Sequence, residues 1–203
     1  NNDGSDYPGF PVDLDGGVNS SPTTADLNHD GNKEIVFVSA TGKLHAVSTV
    51  SGQDINGFPV NLGSASWEGP SAGDVTGDNE PEIIVVTVQG KIWVVDKNGS
   101  VVMEKENGSP VRTSVLIFDL DRSGTNELIY GDLLGNIRVI DGQGNDIEPF
   151  PVNIGASIEA TPILADITKD GKFEIIVGDS NGYLHSISLL GENTPNFPIY
   201  LER

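Results

Sequence analysis

One acidic segment occurs four times in this chain, and this repetition constrains the fold more than any other feature. The four copies begin at aspartates spaced 48, 45 and 47 residues apart: Asp26, Asp74, Asp119 and Asp166. A turn glycine recurs in the same phase, at Gly42, Gly90, Gly135 and Gly182. A Phe-Pro pair marks every repeat but the second. A period of this length, built from short strands, predicts the blades of a β-propeller.

Each repeat contains four short apolar segments separated by turn residues, which predicts an all-β fold of four-stranded antiparallel blades. In the first repeat the segments are strand A (SPTTA), strand B (EIVFVSA), strand C (KLHAVST) and strand D with its Phe-Pro. Proline is tolerated in strand D because an outer edge strand has N–H groups that need no ladder partner. The predicted repeats span residues 18–63, 64–108, 109–155 and 156–203.

Residues 1–17 resemble the later D strands, so we predict that they form the outer strand of a preceding blade. The sequence therefore predicts four complete repeats plus this orphan strand, within a single propeller domain or part of one over residues 1–203. On this interpretation the rest of a larger chain or a second copy completes the propeller, and a closed four-bladed ring stays open as an alternative.

The acidic loop places side chains that carry oxygen at positions 1, 3, 5 and 9, counted from its first aspartate. These residues are Asp26, Asn28, Asp30 and Glu34; Asp74, Thr76, Asp78 and Glu82; Asp119, Asp121, Ser123 and Glu127; and Asp166, Thr168, Asp170 and Glu174. Position 7 varies, as expected where the backbone carbonyl is the ligand: it is Asn32, Glu80, Thr125 or Lys172. Position 6 is glycine or asparagine, residues that accept the left-handed conformation of a tightly wrapped loop.

This oxygen-rich spacing predicts about four Ca²⁺ sites, because Ca²⁺ binds many oxygen ligands and tolerates irregular geometry. An EF-hand is excluded, since position 12 is Phe37, Val85, Tyr130 or Val177 instead of glutamate and the flanks alternate like strands. A second interpretation is that the acidic residues only cap β-turns. At least three carboxylates in each loop favour the metal, because they repel one another without a cation.

The repeated D-x-[DNT]-x-[DS]-[GN]-x-x-E loop between two short strands resembles the FG-GAP/VCBS repeats of calcium-binding β-propellers. That family includes the integrin α-subunit head and many bacterial surface and secreted proteins. The Phe-Gly and Gly-Ala-Pro segments of the integrin version are missing, so the likeness is to the bacterial type. The resemblance implies a ring of seven or eight blades in an extracellular or cell-surface protein.

Charge and motifs narrow the function further. Thirty acidic residues against eleven basic ones give a formal charge of −19, which argues against nucleic acid and anionic membrane surfaces as partners. No apolar run is long enough for membrane insertion. The sequence contains no nucleophile elbow, phosphate loop or zinc-protease motif. His29 lies at a variable loop position, and His45 and His185 share one position of strand C, so none of the three indicates a catalyst. We therefore predict a non-catalytic protein, with a polysaccharide lyase as the alternative.

The ligand-binding face is predicted from the connections between repeats. In a propeller, the metal loops and the C–D turns share one face, and the D–A connections and the B–C turns share the other. The D–A connections differ between repeats, and four of their residues are predicted to contact a protein or glycan partner: Trp67, Glu68, Arg112 and Glu159. The alternative for Trp67 is that it only packs against the neighbouring blade.

Overall fold

The computed structural model describes residues 3–201, which form four antiparallel sheets of four strands each. Blade 1 contains β1 (Thr23–Ala25), β2 (Glu34–Val38), β3 (Lys43–Ser48) and β4 (Val60–Asn61). Blade 2 contains β5 (Ser71–Gly73), β6 (Glu82–Val86), β7 (Lys91–Val95) and β8 (Val101–Glu106). Blade 3 contains β9 (Leu116–Phe118), β10 (Glu127–Gly131), β11 (Asn136–Ile140) and β12 (Val152–Asn153). Blade 4 contains β13 (Ile163–Ala165), β14 (Glu174–Gly178), β15 (Tyr183–Ile187) and β16 (Ile199–Tyr200).

The strands follow one another across each sheet in chain order, which confirms the predicted fold class. The four sheets fall within the predicted repeat boundaries, whereas residues 1, 2, 202 and 203 lie outside the described residues. The number of blades in a complete ring stays a prediction.

The length of the outer strand depends on the Phe-Pro pair. In blades 1, 3 and 4 the pair directly precedes an outer strand of two residues. Blade 2 lacks it, and its outer strand β8 extends over six residues. Proline lacks an N–H group and so removes a ladder donor, which shortens the pairing with strand C.

The hydrophobic core lies between the blades, in one apolar cluster for each pair of neighbours. Successive side chains of a strand point to opposite faces of its sheet. In β6, Ile83 therefore packs into the cluster shared with blade 1, and Ile84 packs into the cluster shared with blade 3. Because strand B is buried on both faces, its sequence is a continuous run of apolar residues instead of an alternation of apolar and polar ones.

The connections have the arrangement predicted for the two faces. In all four blades a B–C turn N–H group donates to a carbonyl just before the blade's own strand A, as between Val88 and Ala65 at 2.8 Å. On the other face, Lys97 of a C–D turn lies 3.0 Å from Glu80 of an acidic loop. The loops and the D–A connections are therefore separated by the height of a blade.

Residues 3–17 form no strand, in contrast to the orphan outer strand predicted there, although they run beside blade 1. A Cβ atom at Gly9 would lie 2.5 Å from the carbonyl oxygen of Ser51, which is in the C–D turn of blade 1. Gly57 makes the corresponding close approach to blade 2. An ion pair between Asp15 and Lys43 adds a second attachment. Because the described residues provide no strand C beside this segment, it has no ladder partner there.

Candidate functional site

Each acidic loop is closed by the pairing of strands A and B. Position 1 directly follows the last residue of strand A, and position 9 is the first residue of strand B. In blade 1 the residue before position 1, Ala25, pairs with Glu34, and the same register recurs in the other three blades. The sheet therefore holds the first and last side chains of the loop at a fixed separation.

The glutamate at position 9 is buried in every loop. Glu34, Glu82, Glu127 and Glu174 are between 1% and 4% exposed. In each blade its Oε2 atom accepts a hydrogen bond of 2.7 to 2.9 Å from the N–H group at position 2. Burial raises the pKa of Glu34, Glu82 and Glu127, and neighbouring aspartate charges raise it further, while these N–H donors oppose the shift. A buried carboxylate with more acids nearby is unfavourable unless it takes up a proton or a positive charge compensates for it.

The aspartate at position 1 is tied to the backbone of its own loop. One carboxylate oxygen accepts a hydrogen bond of 2.9 to 3.1 Å from the N–H group at position 6. The other oxygen of Asp26 and of Asp119 is buried and has no hydrogen-bond partner. In the second and fourth loops Asp74 and Asp166 accept backbone donors with both oxygens. An ordinary turn cap leaves its second oxygen in solvent, so a second oxygen that is buried without a donor favours a cation in the first and third loops.

The third loop brings three carboxylates together. Oxygens of Asp119, Asp121 and Glu127 lie within 4.8 Å of one another. Two oxygens bound to one Ca²⁺ at about 2.3 to 2.6 Å can be no more than about 5.2 Å apart. The spacing fits a shared cation, for which Asp121 at position 3 would compensate for the missing carboxylate at Ser123.

The remaining loop residues organise the carboxylates. At position 3 the hydroxyls of Thr76 and Thr168 donate to the position 9 glutamates at 3.2 and 3.1 Å. At position 7 the backbone N–H donates to the position 5 side chain in each loop, and the residues are Asn32, Glu80, Thr125 and Lys172. The loops are thus preformed from their own hydrogen bonds. A bound Ca²⁺ would supply the positive charge that these oxygens lack.

Position 4 is a feature of the loop that the sequence did not indicate. It has a positive φ in all four loops, at His29, Gly77, Arg122 and Lys169. The guanidinium of Arg122 donates to the backbone carbonyl of Gly171 in the next loop at 2.5 Å. Histidine, arginine and lysine give no sequence signal for a left-handed backbone, so only Gly77 could have pointed to it.

The four residues predicted to bind a ligand line one cleft on the D–A face, with a volume of about 350 Å³. The guanidinium of Arg112 lies over the ring of Trp67, 4.3 Å from its centre, and 3.6 Å from the carboxylate of Glu159. Arg112 therefore links blade 2 to blade 4 across blade 3. Glu68 completes the lining of the cleft.

Trp67 occupies the same repeat position as Arg112 and Glu159, four residues before strand A. The position before it is buried in blades 2, 3 and 4, where Ser66, Val111 and Ile158 are 4%, 3% and 0% exposed, whereas Trp67 is 45% exposed. Packing between blades therefore accounts for that preceding position but not for the open part of the indole ring. The four predicted residues come together, but their role as ligand contacts stays a prediction.

The two strand C histidines are buried and held within their own blades. His45 pairs with Asp54 at 3.0 Å and stacks on Phe37, with 5.0 Å between ring centres. His185 pairs with Asp179 at 3.0 Å. Burial is the largest single influence on the pKa of Asp179, and it raises that pKa. Hydrogen bonds from Tyr183, His185 and Asn181, together with the charge of His185, outweigh burial, so the pKa lies below its ordinary value. Each of these histidine–aspartate pairs joins two residues of one blade and therefore stabilises that blade.

Comparison with known proteins identifies the fold. No family model and no curated protein matches the chain. The structure of BamB from Moraxella catarrhalis matches with a TM-score of 0.61 and 21% identity, over 85% of this chain and 47% of that one. BBS1N in complex with ARL6DN matches with a TM-score of 0.65 and 16% identity, over 94% and 58%. The V. cholerae biofilm matrix protein Bap1 matches with a TM-score of 0.60 and 18% identity, over 87% of this chain and 30% of that one.

These structural matches show that the chain has the propeller fold. At 16 to 21% sequence identity they show the fold alone. The chain spans about half the length of the first two structures and less of the third. Within residues 3–201, no helix has the length and apolarity needed to cross a membrane.

Proposed function

We propose that this chain is a non-catalytic, Ca²⁺-stabilised β-propeller module of an extracellular or cell-surface protein, which binds a protein or glycan through its D–A face. The observation that carries the proposal is the buried glutamate that closes every acidic loop, accompanied in the first and third loops by a buried aspartate oxygen without a partner. Such groups are unfavourable unless a cation joins them. On this basis the chain resembles the bacterial FG-GAP/VCBS repeats in function as well as in motif.

Calcium has a structural role in this proposal. Four divalent ions would reduce the formal charge from −19 to −11 and ease the repulsion within each loop. Sites formed by short exposed loops bind in the range of about 10⁻⁴ to 10⁻³ M, which is typical of extracellular modules. They would fill at the millimolar calcium outside cells, which supports an extracellular location.

The D–A face is the proposed adhesion surface, because its residues vary between repeats on a scaffold that does not. Among the structural neighbours, BBS1N is in complex with ARL6DN and Bap1 is a biofilm matrix protein. Both are compatible with a propeller that acts by binding. The lyase alternative has less support, since the cleft contains two glutamates and one arginine and so lacks the cluster of bases that an acidic polysaccharide would require.

Calorimetric titration with Ca²⁺ after chelator treatment tests the metal part of the proposal. We expect about four sites in the weak range given above. Mg²⁺ is the control, because it demands a near-ideal octahedron that these loops do not present. An absence of heat above background up to several times that range would contradict the proposal.

A glycan and protein array tests the binding part, with W67A and E68Q as cleft variants. We expect bound partners to be lost from both variants while their thermal unfolding is unchanged. A parallel assay for unsaturated products from acidic polysaccharides tests the lyase alternative. Turnover that depends on Glu68, Arg112 or Glu159 would overturn the non-catalytic interpretation.

A further inference from the structure

We infer that the Trp67 cleft recognises a cationic side chain, lysine or arginine, on a basic segment of a protein partner. The inference rests on the proposed function and specifies the ligand of its binding face. It would also set the cleft apart from the metal loops, which lie on the opposite face.

The cleft already holds a cation of this class from its own chain. Arg112 lies 4.3 Å from the centre of the Trp67 ring and 3.6 Å from the carboxylate of Glu159. Aromatic faces attract guanidinium and ammonium groups through the negative face of the ring, and a nearby carboxylate adds charge complementarity. The geometry shows that these side chains are placed to accept a positive group.

The cleft has capacity for a second cation. Within residues 3–201, the carboxylate of Glu68 has no hydrogen-bond or ion-pair partner, although it lines the same cleft. Trp67 is 45% exposed even with Arg112 in place. An unpaired carboxylate next to open indole surface is the combination that a lysine or arginine side chain binds.

Charge selects between the possible ligand classes. Two glutamates and one arginine give the cleft a formal charge of −1, and the whole chain carries −19. This field attracts basic segments and repels acidic polysaccharides at long range. A neutral glycan could stack on Trp67, but the charge of the protein gives it no advantage.

Tryptophan fluorescence provides the test, because the chain contains only Trp67 and Trp93. In a W93F background, the emission reports on the cleft alone. The probes are a short oligolysine peptide, a neutral oligosaccharide and polygalacturonate, each titrated in the presence of Ca²⁺. We expect saturable change with oligolysine only, weakening as salt is raised.

Two substitutions sharpen the result. E68Q should weaken oligolysine binding about tenfold, the effect of losing one charge-assisted contact. E192Q is the matched control, because it makes the same charge change in an exposed C–D turn on the opposite face, and it should leave binding unchanged. R112Q should strengthen binding, because it removes the internal competitor and makes the cleft more negative.

The outcomes separate this inference from the proposed function. If the fluorescence of Trp67 responds to the neutral oligosaccharide or to polygalacturonate but not to oligolysine, the inference of a cationic ligand is wrong. The proposed binding face would still be supported. Equal weakening by E68Q and E192Q also overturns the inference, because the attraction would then be general. If no probe alters Trp67 and array partners bind W67A normally, both the inference and the proposed binding face are wrong. Unfolding curves of each variant verify that the fold is retained.

Discussion

The substitution D119N distinguishes a metal loop from a capped turn. In the third loop the oxygens of Asp119, Asp121 and Glu127 lie within 4.8 Å of one another. At that distance the repulsion between two charges is about 3.5 kcal/mol at an effective dielectric constant of about 20 and about 1 kcal/mol in bulk water. Because the loop is partly exposed, we expect D119N to stabilise the calcium-free protein by about 1 to 3 kcal/mol.

Calcium should erase this advantage. At about one hundred times its dissociation constant, a bound ion stabilises the native state by about 2.7 kcal/mol, and D119N forfeits this gain at the third loop. For a chain of this size, 1 kcal/mol shifts the melting temperature by about 2 to 4 °C. The variant should therefore melt above the wild type in chelator and lose several degrees of that lead in saturating Ca²⁺.

Asparagine keeps an oxygen to accept the N–H group of Gly124, which Asp119 accepts at 3.0 Å. D141N is the matched control, since Asp141 caps a C–D turn by accepting from Gln143 and Asn145 at 2.9 and 2.8 Å. Its effect should be the same with and without Ca²⁺. If D119N also showed the same difference from wild type in both conditions, the loop would be a capped turn and the metal interpretation would fail.

Three further predictions concern individual side chains. Burial raises the pKa of Glu82 in the folded protein, so ionisation of this carboxyl group disfavours folding. Its contribution to the free energy of unfolding is favourable at pH values below the ordinary glutamate pKa and is lost as the pH rises through the raised pKa. Carboxyl NMR in chelator should show a midpoint above that range, and Ca²⁺ should lower it; an ordinary midpoint in chelator would contradict the burial. G57A should cost roughly 2 kcal/mol more than G63A in denaturant unfolding, because only the Gly57 Cβ would clash with backbone while both glycines have positive φ; equal costs would refute the close approach. Y130F should cost about 1 to 2 kcal/mol, since it leaves the buried Asn107 oxygen without the Tyr130 hydroxyl at 3.1 Å; no loss of unfolding free energy would show that this bond is immaterial.

The repeat in the sequence predicted the four sheets and their strand order, because these depend on local information. Each blade is one supersecondary unit, and the spacing of the acidic loops and turn glycines fixes where its strands begin and end. The loop pattern likewise predicted Glu34 and its counterparts as candidate metal ligands, and the structure shows that all four are buried. Phe-Pro marked the outer strands, and its absence from the second repeat coincides with the longer β8.

Other features depended on how the blades stack. The sequence placed Trp67, Glu68, Arg112 and Glu159 on one face, but it gave no reason for Arg112 to cover Trp67 and also approach Glu159. Those contacts join three successive blades and follow from their relative rotation. The left-handed backbone at position 4 could not be predicted from the sequence either, because residues such as Arg122 rarely adopt that conformation.

Local chemistry was therefore readable from the sequence alone. Which residues alternate along a strand, which turn needs glycine and which loop gathers oxygen atoms are set within one repeat of fewer than fifty residues. The tertiary structure decided what happens between repeats: that Glu82 is buried, that Asp119 retains an oxygen without a partner, and that Arg122 reaches the next loop. Burial and contact across blades depend on groups far apart in the chain, and their positions are fixed only when the sheets pack.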